Sequence, residues 1–232
     1  MKKIVCLSGW GQKFNSLEKI FNDHYIDNVK IDSYDYLKHK SIDDFFADFS
    51  RNHQDLDVII GWSLGGQLAI RLIANKIIKP KLLILISPPF QFVKDRRIRA
   101  AMPVKSYQDF LDNFKNSPNQ TLRKFAILTI LNDINGKNII DNLVLEDAKK
   151  ESLIYWLEEL GQFSCFDIDF NNFPKTLYFH GDSDAIVYIS QKDYFKDRIY
   201  DFKEVILSKT GHAPHLSNIK KIREYIYKNI IF

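Results

Sequence analysis

Short apolar runs alternate with longer amphipathic stretches along most of the chain. Runs at Lys3–Leu7, Val29–Ser33, Val58–Gly61, Leu82–Ser87, Thr176–Phe179 and Glu204–Leu207 are dense in β-branched and aliphatic residues, which predicts strands. Near-continuous apolar character is the mark of strands covered on both faces. Between them, Leu17–Asn22, Ile42–Asn52, Leu64–Asn75, Gln191–Arg198 and Asn218–Lys228 read as helices. In Leu64–Asn75, for example, Leu64, Leu68, Leu72 and Ile73 recur at helical spacing. Strand and helix in alternation predict βαβ units, hence an α/β fold with a mainly parallel sheet and helices on both faces.

The alternation breaks once. Between Ser87 and Thr176 no strand pattern occurs, and the stretch reads helical in pieces around Tyr107–Asn113, Leu122–Leu131 and Leu145–Leu160. A helical excursion of this size in an α/β sheet predicts a lid or cap over the strand ends. The expected organisation is a core of residues 1–90 and 172–232 with a helical cap, 91–171, inserted in it.

Composition narrows the classes. The chain has 232 residues, 45% hydrophobic and 14% aromatic, enough for a sizeable core, so disorder is not its main state. A formal charge of +4 is mild, and no zinc-finger spacing or aromatic-studded RNA-binding signature accompanies it, so no nucleic-acid partner is expected. Two cysteines, Cys6 and Cys165, are too few for a disulfide framework and lack metal-site spacing. The opening residues are too short an apolar run for a signal peptide. No run of about 18 apolar residues could span a bilayer, so a soluble cytoplasmic protein is expected.

Gly61-Trp62-Ser63-Leu64-Gly65-Gly66 follows the strand at Val58 and opens the helix at Leu64. G-x-S-x-G in strand–turn–helix context predicts a nucleophile elbow, with Ser63 raised above the sheet in a strained turn. A serine hydroxyl needs a base, and in this arrangement an acid and then a histidine follow in the chain. Of the six histidines (His24, His39, His53, His180, His212 and His215), only His212 and His215 lie just past the last strand pattern. His212, beside Gly211, is the expected base; His215 reads as a surface residue or the start of the last helix. His180 reads as a strand-end residue without chemistry. Asp182 and Asp184 both follow the strand at Thr176; Asp184, further along the loop, is preferred as the acid that orients His212. Two N–H donors should hold the oxyanion: Leu64, at the helix N-terminus, and Trp10, in the loop Ser8-Gly9-Trp10-Gly11.

Together, Gly9-Trp10-Gly11, the Gly61–Gly66 elbow, Gly181-Asp182-Ser183-Asp184 and Gly211-His212-Ala213-Pro214 resemble the pimeloyl-[acyl-carrier protein] methyl ester esterases of biotin synthesis (the BioH type), or a short BioG-like form. Ser87-Pro88-Pro89-Phe90, Asp109-Phe110 through Phe114, and Thr121 to Leu128 extend the resemblance into the cap. The resemblance implies an α/β-hydrolase fold and hydrolysis of a methyl ester on a carrier-bound pimeloyl chain. It implies that Trp62 and Phe125 wall the acyl channel, and that Arg96, Arg97, Arg99, Arg123 and Lys124 could meet the acidic carrier and its phosphopantetheine. The chain departs from it at Ser8, where the family usually has His, and lacks the usual opening pair of strands, so six strands are expected. No cofactor or metal is implied, and a monomer is expected. The competing readings are a broad short-chain carboxylesterase or thioesterase with the same triad, and a hydrolase-fold binding protein without catalysis.

Overall fold

The computed structural model describes residues 1–21, 28–143 and 149–230. His24, Asn22 and the first residues of the Leu145–Leu160 stretch lie outside them. Six strands form one sheet: β1 (Lys2–Leu7), β2 (Val29–Ser33), β3 (Val58–Trp62), β4 (Leu82–Ile86), β5 (Lys175–Gly181) and β6 (Phe202–Leu207). Their order is β2-β1-β3-β4-β5-β6 and every pairing is parallel. The register aligns Leu7 with Gly61 and Trp62 with Ile86, so the strand ends that lead into the site lie side by side.

Side-chain alternation along the strands builds two cores. Ile59, Leu83 and Leu85 pack on one face with Phe45 and Phe49 of α1 (Ile42–Asn52) and with Leu68 and Leu72 of α2 (Leu64–Ala74). Ile4, Ile60, Ile84 and Phe179 pack on the other with Leu17, Ile20 and, from the last helix Ile219–Ile230, Ile222 and Ile226. Ser41 starts α1 by accepting from Asp44 N–H at 3.1 Å, satisfying an amide the helix leaves open. The Leu17–Asn22 expectation appears as a 3-10 helix, Ser16–Ile20.

Between β4 and β5 the chain leaves the sheet as helices: α3 (Val104–Asn116), α4 (Pro118–Thr129), α5 (Gly136–Ile139) and α6 (Lys150–Gln162). This insertion is fastened to the sheet layer by polar contacts as well as packing. Arg71 of α2 meets Glu159 of α6 at 2.6 Å and lies over the Phe163 ring. The hydroxyl of Tyr155 accepts from Ile42 N–H at 2.7 Å. Buried Gln191 takes the N–H groups of Phe90 and Gln91 on Oε1 and donates to Gln91 O and Ala100 O. That residue opens α7 (Lys192–Lys196), the α-helical part of the predicted Gln191–Arg198 helix, whose first turn is 3-10. α8 (Pro214–Ser217) and α9 (Ile219–Ile230) complete the chain's described elements.

Backbone packs directly on backbone where β3 turns into α2. A Cβ on Gly65 would stand 2.1 Å from Leu7 O and 2.6 Å from Ser8 O, and one on Gly61 would stand 2.4 Å from Gly65 O. These neighbours are backbone and cannot swing aside. Gly65→Ala is therefore expected to cost about 3 kcal/mol or more, measured as the fall in the urea-unfolding free energy; a loss under about 1 kcal/mol would contradict the contact.

Candidate active site

Ser63 sits between β3 and α2 with φ 54° and ψ −118°. That left-handed backbone, for a residue with a side chain, stores strain of order 1–3 kcal/mol. The neighbours over-determine it: Ser63 N–H donates to Ile86 O at 2.9 Å, and Ser63 O accepts from the N–H groups of Gly66 and Gln67. Helix geometry leaves the Leu64 N–H, first in α2, with no intrahelical acceptor, and the positive end of the helix faces the serine.

His212 follows β6 and is 1% exposed. Its Nδ1 lies 2.7 Å from Asp184 Oδ2. A carboxylate can only accept, so Nδ1 carries the proton and Nε2 presents the lone pair. That Nε2 is buried and unpartnered, the state a base needs before it takes a proton. Asp184 is held as tightly: Oδ1 accepts from the N–H groups of Ile186 and Val187 at 2.8 and 2.9 Å. Burial alone would raise its pKa, but the neighbouring His212 charge and hydrogen bonds from His180 and His212 outweigh burial and hold it well below the usual carboxylate range. Asp182, the other candidate, is exposed and accepts from Ser183 Oγ at 2.8 Å, away from His212.

Two histidines differ from their sequence reading. His180 does stand at the end of β5, but it is not idle: its Nε2 is 3.1 Å from Asp184 Oδ2 and 3.0 Å from Val187 O. Both partners accept, so Nε2 carries the proton, and Nδ1 accepts from the Tyr178 hydroxyl at 2.7 Å. Tyr178, His180, Asp184 and His212 thus form one buried hydrogen-bonded row. A histidine just before Gly181 in a strand of apolar residues was the only signal for it. His215 is neither on the surface nor in the last helix. It is fully buried in α8 with its ring 4.3 Å from that of Trp62, and both ring nitrogens lack partners. Burial, the charge of His212 and that of Lys19 push its pKa down to about 3.

The aromatic residues expected at the channel fall on two sides of the elbow. Trp62 is 1% exposed and donates from Nε1 to His212 O at 2.8 Å. Trp10 is clasped by the insertion: its ring meets Phe110, Phe114 and Phe125 edge-on at 5.2–5.5 Å, and its Nε1 donates to Leu153 O of α6 at 2.8 Å. Ser8, where the resemblance expects histidine, pairs its Oγ with Ser16 Oγ at 2.7 Å. The five cations are all exposed. Arg123 and Lys124 lie on α4, whereas Arg97 is already engaged with Asp95 at 3.1 Å and Asp167 at 3.2 Å.

A parallel six-stranded sheet, a strained serine at the β3–α2 turn and a histidine–aspartate pair on the following strand ends define a class. Residues 4–224 match the profile of the alpha/beta hydrolase family, and the chain belongs to it. Within it, the chain is 30% identical over 173 residues to the pimeloyl-[acyl-carrier protein] methyl ester esterase of Aromatoleum aromaticum, covering 69% of this chain and 68% of that one. It is 28% identical over 181 residues to the biotin biosynthesis bifunctional protein BioHC of Teredinibacter turnerae. That match takes in 72% of this chain but only 32% of the bifunctional protein, so the chain corresponds to about a third of it. The fold is shared with an esterase from Exiguobacterium antarcticum, at a TM-score of 0.83 and 17% identity over 99% of this chain and 92% of that one. Among the described residues no helix is long and apolar enough to cross a membrane.

Two outcomes follow from the histidines. His180→Phe removes a donor from a buried carboxylate and strands the Tyr178 hydroxyl; kcat on p-nitrophenyl acetate should fall about tenfold, the effect of one lost charge-assisted hydrogen bond. An unchanged kcat would show the row to be idle. His215 has its folded pKa lowered, so below about 6.5, the unfolded value, the unfolded chain binds a proton the folded one refuses. Stability is lost as pH falls from there toward about 3, at about 1.4 kcal/mol per pH unit. His215→Phe should remove that slope, seen as urea midpoints of mutant and wild type diverging from pH 7.5 to pH 5; parallel midpoints would refute the assignment.

Proposed function

We propose that the chain is a serine esterase that hydrolyses the methyl ester of a pimeloyl group carried on acyl-carrier protein, with Ser63 as nucleophile, His212 as base and Asp184 as orienting acid. Membership of the alpha/beta hydrolase family, with the esterase relative above, supports hydrolysis of carboxylic esters. The observation that carries the triad is the 2.7 Å bond from His212 Nδ1 to Asp184 Oδ2, which leaves a buried, unpartnered Nε2, while Trp62, the neighbour of the strained Ser63, donates to the His212 carbonyl. Similarity to the pimeloyl-[acyl-carrier protein] methyl ester esterase of Aromatoleum aromaticum supports the substrate.

Chemistry proceeds in two steps. Ser63 Oγ attacks the ester carbonyl while His212 Nε2 takes its proton. The N–H groups of Leu64 and Trp10 hold the oxyanion, and the imidazolium returns the proton to the departing methanol. Water activated by the same Nε2 then releases the acid and frees Ser63. Asp184, kept ionised by four N–H donors, stabilises the imidazolium in both steps.

In this reading residues 91–171 act as the cap, with Trp62 and Phe125 near the acyl path. Arg123 and Lys124, with Arg96 and Arg99, face the acidic carrier, and Arg97 contributes less because Asp95 and Asp167 already occupy it. The enzyme would act as a cytoplasmic monomer without a cofactor.

The test is demethylation of pimeloyl-carrier-protein methyl ester, followed by gel shift. Ser63→Ala should lose a factor of roughly 10³ or more in kcat, and an Arg123→Ala/Lys124→Ala double variant should slow carrier-ester turnover about tenfold. Failure of wild type on the carrier ester, with brisk cleavage of short p-nitrophenyl esters, would instead identify a general carboxylesterase or thioesterase. Failure on both would point to a binding protein.

A further inference from the structure

His212 is suspended from three points. Its side chain bonds Asp184, its carbonyl accepts from Trp62 Nε1, and its own N–H donates to Thr129 O at 2.9 Å. The first two anchors belong to the sheet layer. The third belongs to the insertion, at the end of α4.

The contact around this third anchor is extensive. Gly211 N–H, one residue before the histidine, donates to Asp133 Oδ2 at 2.8 Å. In return Ile134 N–H donates to Lys209 O at 3.0 Å, and Asn135 Nδ2 donates to Ser217 O at 3.0 Å. Asp133 is aimed by its own turn, since its Oδ1 accepts from Asn135 N–H at 2.8 Å. The two chains run so close that a Cβ on Gly211 would stand 2.7 Å from Thr129 O. Neither Gly211 nor His212 finds its amide acceptor in the core; both use the insertion.

We propose that Asp133 is a positioning residue for the catalytic histidine: with the Thr129 carbonyl it completes the seat of His212, so the triad is assembled only while the end of α4 is docked on the loop after β6. The inference rests on the triad proposed above. Its physical basis is the steep dependence of proton transfer on distance, where a displacement of about 1 Å in a reacting group can cost a hundredfold in rate. Without the Asp133 carboxylate the Gly211 amide loses its acceptor, the loop gains freedom, and Nε2 leaves the line to Ser63. Asp133 touches neither substrate nor proton in this scheme.

Asp133→Ala and Asp133→Asn would be compared with wild type on p-nitrophenyl acetate, a substrate with no carrier to dock. Reaction with a fluorophosphonate and amide hydrogen exchange at Gly211 and His212 would be followed alongside. Expected for Asp133→Ala is a kcat about tenfold or more below wild type with KM within about twofold, as for loss of one charge-assisted hydrogen bond. Fluorophosphonate labelling should slow in step, and the two amides should exchange faster. Asp133→Asn, which keeps an acceptor oxygen at the same reach, should recover most of the rate and protection. Should the alanine variant not fold, the asparagine variant carries the test: a weaker, uncharged acceptor still speeds Gly211 exchange and lowers kcat a few-fold.

Wild-type kcat and labelling in the alanine variant would overturn the proposal, as would equal loss in both variants with Gly211 and His212 exchange unchanged. For an asparagine variant tested alone, wild-type kcat and exchange would do the same. A wild-type protein that the fluorophosphonate does not label at Ser63 would overturn the triad itself, a different result from a labelled enzyme indifferent to Asp133.

Discussion

Backbone lies directly on backbone where α2 begins. Gly65 has the carbonyls of Leu7 and Ser8 within reach of a missing methyl, and Gly61 has the carbonyl of Gly65. Because no side chain separates them, the N-terminus of α2 comes down onto the ends of β1 and β3, and the chain must reverse within one residue. Ser63 takes the strain of that reversal as a positive φ. The same closeness brings the end of β1, which leads into the loop that carries Trp10, against the first turn of the helix. The strained turn at Ser63 and the approach of the Trp10 loop are therefore consequences of a single steric condition, and the helices of the insertion then close over Trp10 through Phe110, Phe114 and Phe125.

Charge at the site is managed without water-facing groups. Asp184 is buried and ionised, a costly state that four N–H donors offset. Its partner His212 is buried and holds its proton on Nδ1, while His215 beside it is buried and cannot readily charge. Among these histidine nitrogens, those of His180 and His212 Nδ1 are engaged in hydrogen bonds and those of His215 are shut away from solvent, which leaves His212 Nε2 as the lone pair offered next to the hydrogen-bonded row. A dry surrounding of this kind strengthens the interactions that a developing imidazolium needs.

Much of this was legible in the residues. Each strand was located to within two residues because central parallel strands are unbroken apolar runs, as in Val58–Trp62 and Leu82–Ile86. The elbow was legible because glycine spacing records a steric requirement directly. The helical insertion announced itself as ninety residues without a strand pattern, give or take the ends. What escaped were contacts between distant segments that leave no periodic trace. Nothing at Asp133 marks it as the acceptor of an amide 78 positions later. His180 and His215 look like polar residues at element ends, and only the packing of α8 and the Val187 turn encloses them. Asp184 and Asp182 stand two apart, and sequence could favour one only by loop length. The turn that gives Asp184 the amides of Ile186 and Val187 is what turns its carboxylate inward.

The amide of His212 has its acceptor in the insertion, at Thr129, and not in the sheet layer. In the function proposed above, these helices form a roof over the reaction chamber. Here the roof cannot be exchanged as a free module. A chimera that replaced the helices between β4 and β5 would remove the acceptors of Gly211 and His212. To keep those two bonds it would have to retain residues 129–135 as a graft collar, or supply new acceptors at the same two amides. Sequence change is constrained in the same way: the outward side of α4 is exposed, while its last residue is tied to the loop that carries His212.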